Sequence, residues 1–149
     1  PSPDEITLVD TAARYGFKYV GGSEHLRKVE ILGELHQFEI LHTFEFNSDR
    51  KRMSVILRDP SGQIKMYVKG ADSIIKARLD PEVPQPFLKA NQRALNQFSK
   101  KGLRTLLVAM RVIEPEEYAN IKQKWKEISK SANKEEEIGI IISNTSLIS

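Results

Sequence analysis

The sequence has no cysteine, which removes disulfide staples and thiolate metal sites from consideration and fits a cytosolic setting. It has one tryptophan and only three histidines. His36 and His42 are six residues apart in strand-like sequence, but no carboxylate is spaced to complete a ligand set with them. There is no Gly-x-Ser-x-Gly elbow, no Walker-type loop and no Gly-x-Gly-x-x-Gly, so the common self-contained catalytic and nucleotide signatures are missing. No apolar run approaches the roughly 20 residues of a membrane span; the longest, Ile138 to Ile142, is interrupted by Gly139. The start, Pro1-Ser2-Pro3-Asp4-Glu5, is polar and acidic, unlike a signal peptide, and lacks Met. That predicts a piece of a longer protein or a processed one.

What is present is ordinary for one folded domain: 149 residues, 40% hydrophobic and 29% charged, with a net charge of +3. The charges are interspersed. Only Arg50-Lys51-Arg52 and the lysines near Lys100 and from Lys122 to Lys130 come close to a basic stripe.

Ser2, Pro3 and Glu5 read as a capped helix start. Ile6, Val9 and Ala13 follow at helical spacing, and Gly16 ends the helix. Phe17 to Val20 reads as a short strand broken by Gly21-Gly22. Val29 and Ile31 begin a strand-rich block, in which Phe38, Ile40, Phe44 and Phe46 alternate with polar residues. Asn47-Ser48-Asp49 and Asp59-Pro60-Ser61-Gly62 are turn signals. They bracket a strand over Met53 to Arg58 that forms a hairpin with Ile64, Met66 and Val68. Asp72 is placed to cap a short helix through Leu79. After a loop at Pro81, Pro84 and Pro86, an amphipathic helix runs from Phe87 to Lys101, with Leu88, Ala94, Leu95 and Phe98 inward and Gly102 as its stop. Leu103 to Ile113 reads as a buried strand. Pro115 opens a last helix with Tyr118, Ile121, Trp125 and Ile128 on one stripe. Hairpins followed by helix, strand and helix predict an α+β domain, an antiparallel twisted sheet flanked by helices, over residues 1–133. Residues 134–149 form a tail without a clear pattern.

Three segments carry chemistry. At Lys69-Gly70-Ala71-Asp72 a strand delivers a lysine, a glycine turns the chain and a helix begins. That corner suits an anion, but an ordinary strand-to-helix turn has the same letters. Phe46 ends a strand beside a polar turn, where an aromatic can stack on a base or serve the core. Arg104, within Gly102-Leu103-Arg104-Thr105-Leu106, sits among apolar residues and calls for an anionic partner, a carboxylate or a phosphate.

In this order and spacing, Ser2-Pro3-Asp4-Glu5, Phe46 with Arg50 to Val55, Lys69 to Asp72 and Gly102 to Leu106 resemble the nucleotide-binding (N) domain of P-type ATPases. The Arg50-Lys51-Arg52-Met53-Ser54 run and the Ser-Pro-Asp-Glu start resemble the phospholipid-flippase (type IV) branch. The resemblance covers roughly residues 2 to 130. It implies a soluble domain in a cytoplasmic loop of a multi-span membrane protein, on the cytosolic face of the membrane. Such a domain binds ATP and presents its γ-phosphate to an aspartate on a separate phosphorylation domain, driving phospholipid translocation. It also implies Phe46 stacked on adenine, Glu5 and Ser48 near the ring, Lys69 on the pocket floor, Gly70 leaving room for the nucleotide and Arg104 toward the phosphates. The capping role of Glu5 competes with its place beside adenine.

No aspartate here is followed by lysine, so the phosphorylated Asp-Lys-Thr-Gly-Thr motif is absent. The expectation is therefore binding without turnover by a monomer, with Mg2+ held mainly by the phosphorylation domain and the actuator domain as a further partner. A cation-pump N domain is an alternative, since cargo is chosen outside this chain. So is a basic module for RNA or acidic lipid, using Arg50 to Arg52 and the Lys122–Lys130 helix.

Overall fold

The structure, a computed structural model, describes residues 2–82 and 86–128, the side chains of residues 127 and 128 excepted. The tail at 134–149, Pro84 and the side chain of Ile128 lie outside the described residues. Six strands form one sheet: β1 Phe17–Ser23, β2 Leu26–Ile31, β3 Glu34–Asn47, β4 Arg52–Arg58, β5 Ile64–Gly70 and β6 Leu107–Ile113. They lie in chain order and every neighbouring pair is antiparallel. The helices are α1 Pro3–Arg14, α2 Asp72–Lys76, α3 Leu88–Lys100 and α4 Pro115–Ile128. The α+β expectation holds.

Local chemistry sets most boundaries. The Ser2–Glu5 capping box is formed, with the Glu5 amide donating to Ser2 Oγ at 3.3 Å and the Ser2 amide to Glu5 Oε2 at 3.1 Å. Leu32 and Gly33 both have positive φ, 51° and 94°, as a two-residue turn between β2 and β3 requires. Asp59 Oδ1 accepts from the amides of Ser61 and Gln63 and closes the β4–β5 turn. At the end of α3 the Gly102 amide donates to Ser99 and the Leu103 amide to Phe98, a Schellman exit.

The core lies on one face of the β3–β6 half of the sheet. Cross-strand rows run Phe44–Ser54–Val68–Ala109 and, one pair along, Ile56–Met66–Arg111. Ile56 and Val68 are 1% exposed; full burial of such a side chain stabilises the fold by about 1.5–3 kcal/mol. Ile75 of α2 and Tyr118, Ile121 and Trp125 of α4 cover this face. Trp125 meets Phe44 edge-on at 5.2 Å, and its ring centroid lies 4.9 Å from that of His42.

Four boundaries or burials differ from the sequence reading. β1 continues through Gly21-Gly22 by way of a bulge. α2 has Ala71 at its N-cap position with no side-chain cap bond; Asp72 instead sits in its first turn and pairs with Lys76 at 3.0 Å. Phe98 is 46% exposed, leaving Leu95 as the buried residue of α3. The last strand begins at Leu107, not Leu103, because its partner β5 ends at Gly70, opposite Leu107. Residues 103–106 complete the helix exit with no strand to pair with.

Candidate functional site

Antiparallel register gathers the segments singled out by sequence at one end of the sheet. There β3 ends at Asn47, opposite Arg52 at the start of β4; Arg52 pairs with Gly70 at the end of β5, and Gly70 with Leu107 at the start of β6. Phe46, Ser48, Lys69, Gly70 and Arg104 are therefore all within three residues of this row. Glu5 is drawn to the same end by an ion pair with Lys69.

Lys69 pairs laterally with Met53 and Val108. Its side chain thus leaves the sheet on the face opposite Ser54 and Val68, away from the core. Its ammonium stands 3.0 Å from Glu5 Oε1. The other oxygen of Glu5 is the capping-box acceptor. The hydrogen bond from Lys69 and that from the Ser2 backbone hold the Glu5 carboxyl below the usual carboxylate range. The capping role of Glu5 and a charge-partner role are thus satisfied together, one oxygen each.

Arg104 reaches back across 100 residues to Asp4, with Nη2 2.7 Å from Oδ2. Its side chain is 86% exposed, so the expectation of an arginine entering a buried strand is corrected: residues 103–106 lie outside the sheet, and the guanidinium stays in solvent. Its partner is a carboxylate on the first turn of α1. Asp4 was not legible as that partner, because the contact joins distant segments; the acidic first turn was its only local signal. Adjacent acids of α1 thus hold the two cations of the site.

Phe46 is 64% exposed, whereas Phe44 is 5% exposed and belongs to the core. A bulge between Phe44 and Asn47 separates them. The ring of Phe46 is a free apolar surface beside a polar turn. That turn is closed by Asn47, whose Oδ1 accepts from the Asp49 amide at 2.7 Å and from Arg50 at 3.3 Å. Ser48 lies in it, exposed. Gly70 is required by packing within the fold. A Cβ there would lie 2.5 Å from the Lys51 carbonyl oxygen and 2.9 Å from Arg52 Cα.

The Arg50-Lys51-Arg52 run is not an exposed basic stripe. Arg52 is 4% exposed and Arg50 is partly buried; only Lys51 faces solvent. A groove of about 540 Å³ between α2 and α3, lined by Lys76, Leu79, Pro81, Leu88 and Gln92 among others, includes none of the six site residues.

Residues 2–141 match the family described as P-type ATPase, cytoplasmic domain N. The chain belongs to this family. The N domain is 43% identical over 131 residues to phospholipid-transporting ATPase C887.12 of Schizosaccharomyces pombe, a match covering 88% of this chain and 10% of that protein. It is 42% identical over 133 residues to phospholipid-transporting ATPase DRS2 of Saccharomyces cerevisiae, covering 88% and 9%. Against phospholipid-transporting ATPase IC of Homo sapiens it is 37% identical over 136 residues, covering 91% and 11%. The chain therefore spans about a tenth of the length of these curated relatives. Among the described residues, no helix is long and apolar enough to cross a membrane.

Proposed function

We propose that this N domain binds ATP at the β3–β6 sheet end. Within a longer parent chain it presents the γ-phosphate to an aspartate on a separate phosphorylation domain. The observation that carries the reading is the convergence of one exposed aromatic, Phe46, and two cations, Lys69 and Arg104, on one end of the sheet. An adenine stacks on Phe46, beside Ser48. The phosphates exchange with Glu5 and Asp4 for the two cations, each of which already holds an oxyanion partner. On this reading the need for glycine at position 70 is internal, and its contribution to the pocket is to keep the β4–β5 backbone in register.

Among the described residues, no group of three or more His, Cys, Asp or Glu side chains could hold a metal ion. The ion is assigned to the nucleotide and the phosphorylation domain. An aspartyl-phosphate on that domain splits hydrolysis into two steps. The curated relatives are named phospholipid-transporting ATPases, which supports a membrane-embedded parent that moves phospholipid, with this domain on the cytosolic face. The same names favour lipid over cation cargo.

The isolated domain binds ATP with a dissociation constant on the order of 0.1–1 mM, since the partner domain supplies the remaining phosphate contacts. A thermal-shift titration tests this. ATP should raise the melting temperature of the parent sequence, and the gain should shrink in Phe46→Ala and Lys69→Ala. Equal gains in all three proteins would overturn the assignment.

A further inference from the structure

On the core face of the sheet, across from Lys69, lies a second cationic centre. Arg50 donates from Nη2 to Ser54 Oγ at 3.5 Å, and its guanidinium carbon sits 6.0 Å from the centre of the Phe44 ring. Ser54 and Phe44 are both buried on that face. Arg52, 4% exposed, donates from Nη1 to the Arg50 carbonyl at 3.0 Å. Arg78, just beyond α2, donates from Nη1 to the Ile74 carbonyl at 2.9 Å.

The three are electrostatically one group. Burial first, then the charge of Arg78, lowers the pKa of Arg50. The same causes, with Arg50 added, bring Arg52 down to about 10. Guanidinium groups as a class keep their charge at neutral pH. None of the ion pairs among the described residues includes any of them. The Nε–H groups of Arg50 and Arg78 are buried and have no acceptor among the described residues. Among the described residues the acceptors of the three arginines are a hydroxyl and two backbone carbonyls, all neutral. Like charges gathered in a poorly solvated place, with unused donors, need a counter-anion.

We propose that Arg50, Arg52 and Arg78 form an oxyanion site, separate from the nucleotide site, that takes a phosphate-class ligand. A single carboxylate would leave two charges uncompensated. A phosphate carries up to two charges and offers oxygens in several directions to forked donors. The site lies on the opposite face of the sheet from Lys69, so one ligand does not serve both.

The test uses the 149-residue chain and inorganic phosphate, titrated against chloride at constant ionic strength and neutral pH. The side-chain Nε–H resonances of Arg50 and Arg78 are followed by NMR. They should shift saturably, with a dissociation constant on the order of 1–10 mM. Arg78→Lys keeps the charge and loses the fork; it should weaken the response by about tenfold or more. Lys69→Ala should leave the response unchanged, which separates this result from the fate of the ATP reading. The proposal is overturned if the two resonances do not respond in the parent sequence. It is also overturned if Arg78→Lys responds as the parent does, if acetate acts as strongly as phosphate, or if Lys69→Ala abolishes the effect.

Discussion

Replacing Gly70 with alanine tests whether this glycine serves the fold. The new Cβ would stand 2.5 Å from the Lys51 carbonyl oxygen, 2.7 Å from Arg52 Cβ and 2.9 Å from Arg52 Cα. Relaxed carbon contacts are roughly 3.5–4.0 Å, so the start of β4 must move by about 0.6–1 Å. Two of the three obstructing atoms are backbone. They are held by the Arg52–Gly70 ladder pair and by the Ala71 amide bonded to Lys51 O at 3.2 Å. Overpacking of this kind costs about 1–3 kcal/mol, and the rigidity of the ladder places it in the upper half. Gly70 is not among the positive-φ residues, so alanine regains about 0.4–1 kcal/mol through the unfolded chain. The net expectation is a loss of about 1–2.5 kcal/mol, or about 2–10 °C in melting temperature at this size. Urea unfolding of Gly70→Ala against the parent sequence measures it. A loss below about 0.5 kcal/mol, or a gain, would refute the packing argument.

Three further outcomes follow from the same contacts. Phe46→Ala should weaken ATP binding by about 1–3 kcal/mol through lost stacking while changing unfolding stability by less than about 0.5 kcal/mol, because the ring is largely exposed; a large stability loss in urea would place Phe46 in the core instead. NMR titration of Glu5 should give a midpoint below the ordinary value of about 4.3, and Lys69→Ala should raise it. The stabilisation from this pair is present above that ordinary value and lost as pH falls through the lower folded one; a midpoint indifferent to Lys69→Ala would refute the pair. His42, whose ring lies against Trp125 with Nε2 3.3 Å from the Tyr118 hydroxyl, is pushed below its usual pKa by burial and then by Lys122. The neutral ring is the folded form. Its contribution is complete above about 6.5 and declines as pH falls from there toward the folded pKa. His42→Phe should flatten the slope of stability against pH below about 6.5, and an unchanged slope would count against the packing of α4 on this ring.

The parts of the fold legible in sequence are those set within a few residues. The Ser2–Glu5 box, the Asp59–Gly62 turn and the Gly102 exit each rest on local hydrogen bonds, and each formed as read. Local pattern misleads where a distant strand decides. Leu103 to Leu106 has strand-like composition, but β5 stops at Gly70 and offers it no ladder. Phe44 and Phe46 look equivalent in an alternating pattern, yet the bulge before Asn47 puts one in the core and leaves the other exposed. Arg52 reads as part of a solvated basic run, and only the pleat of β4 shows it buried beneath the sheet. The members of the candidate site follow from the resemblance of their motifs to the family. The holding of Lys69 and Arg104 by Glu5 and Asp4 depends on where α1 lies, which no local pattern encodes.

Amide NMR of the chain during ATP titration decides whether the β3–β6 sheet end is a nucleotide pocket. Saturable shifts are expected at Phe46, Lys69 and Arg104, with the half-saturating ATP concentration raised in Phe46→Ala and in Lys69→Ala. Millimolar ATP that leaves these three residues unmoved, or a midpoint that neither substitution changes, would overturn the nucleotide assignment.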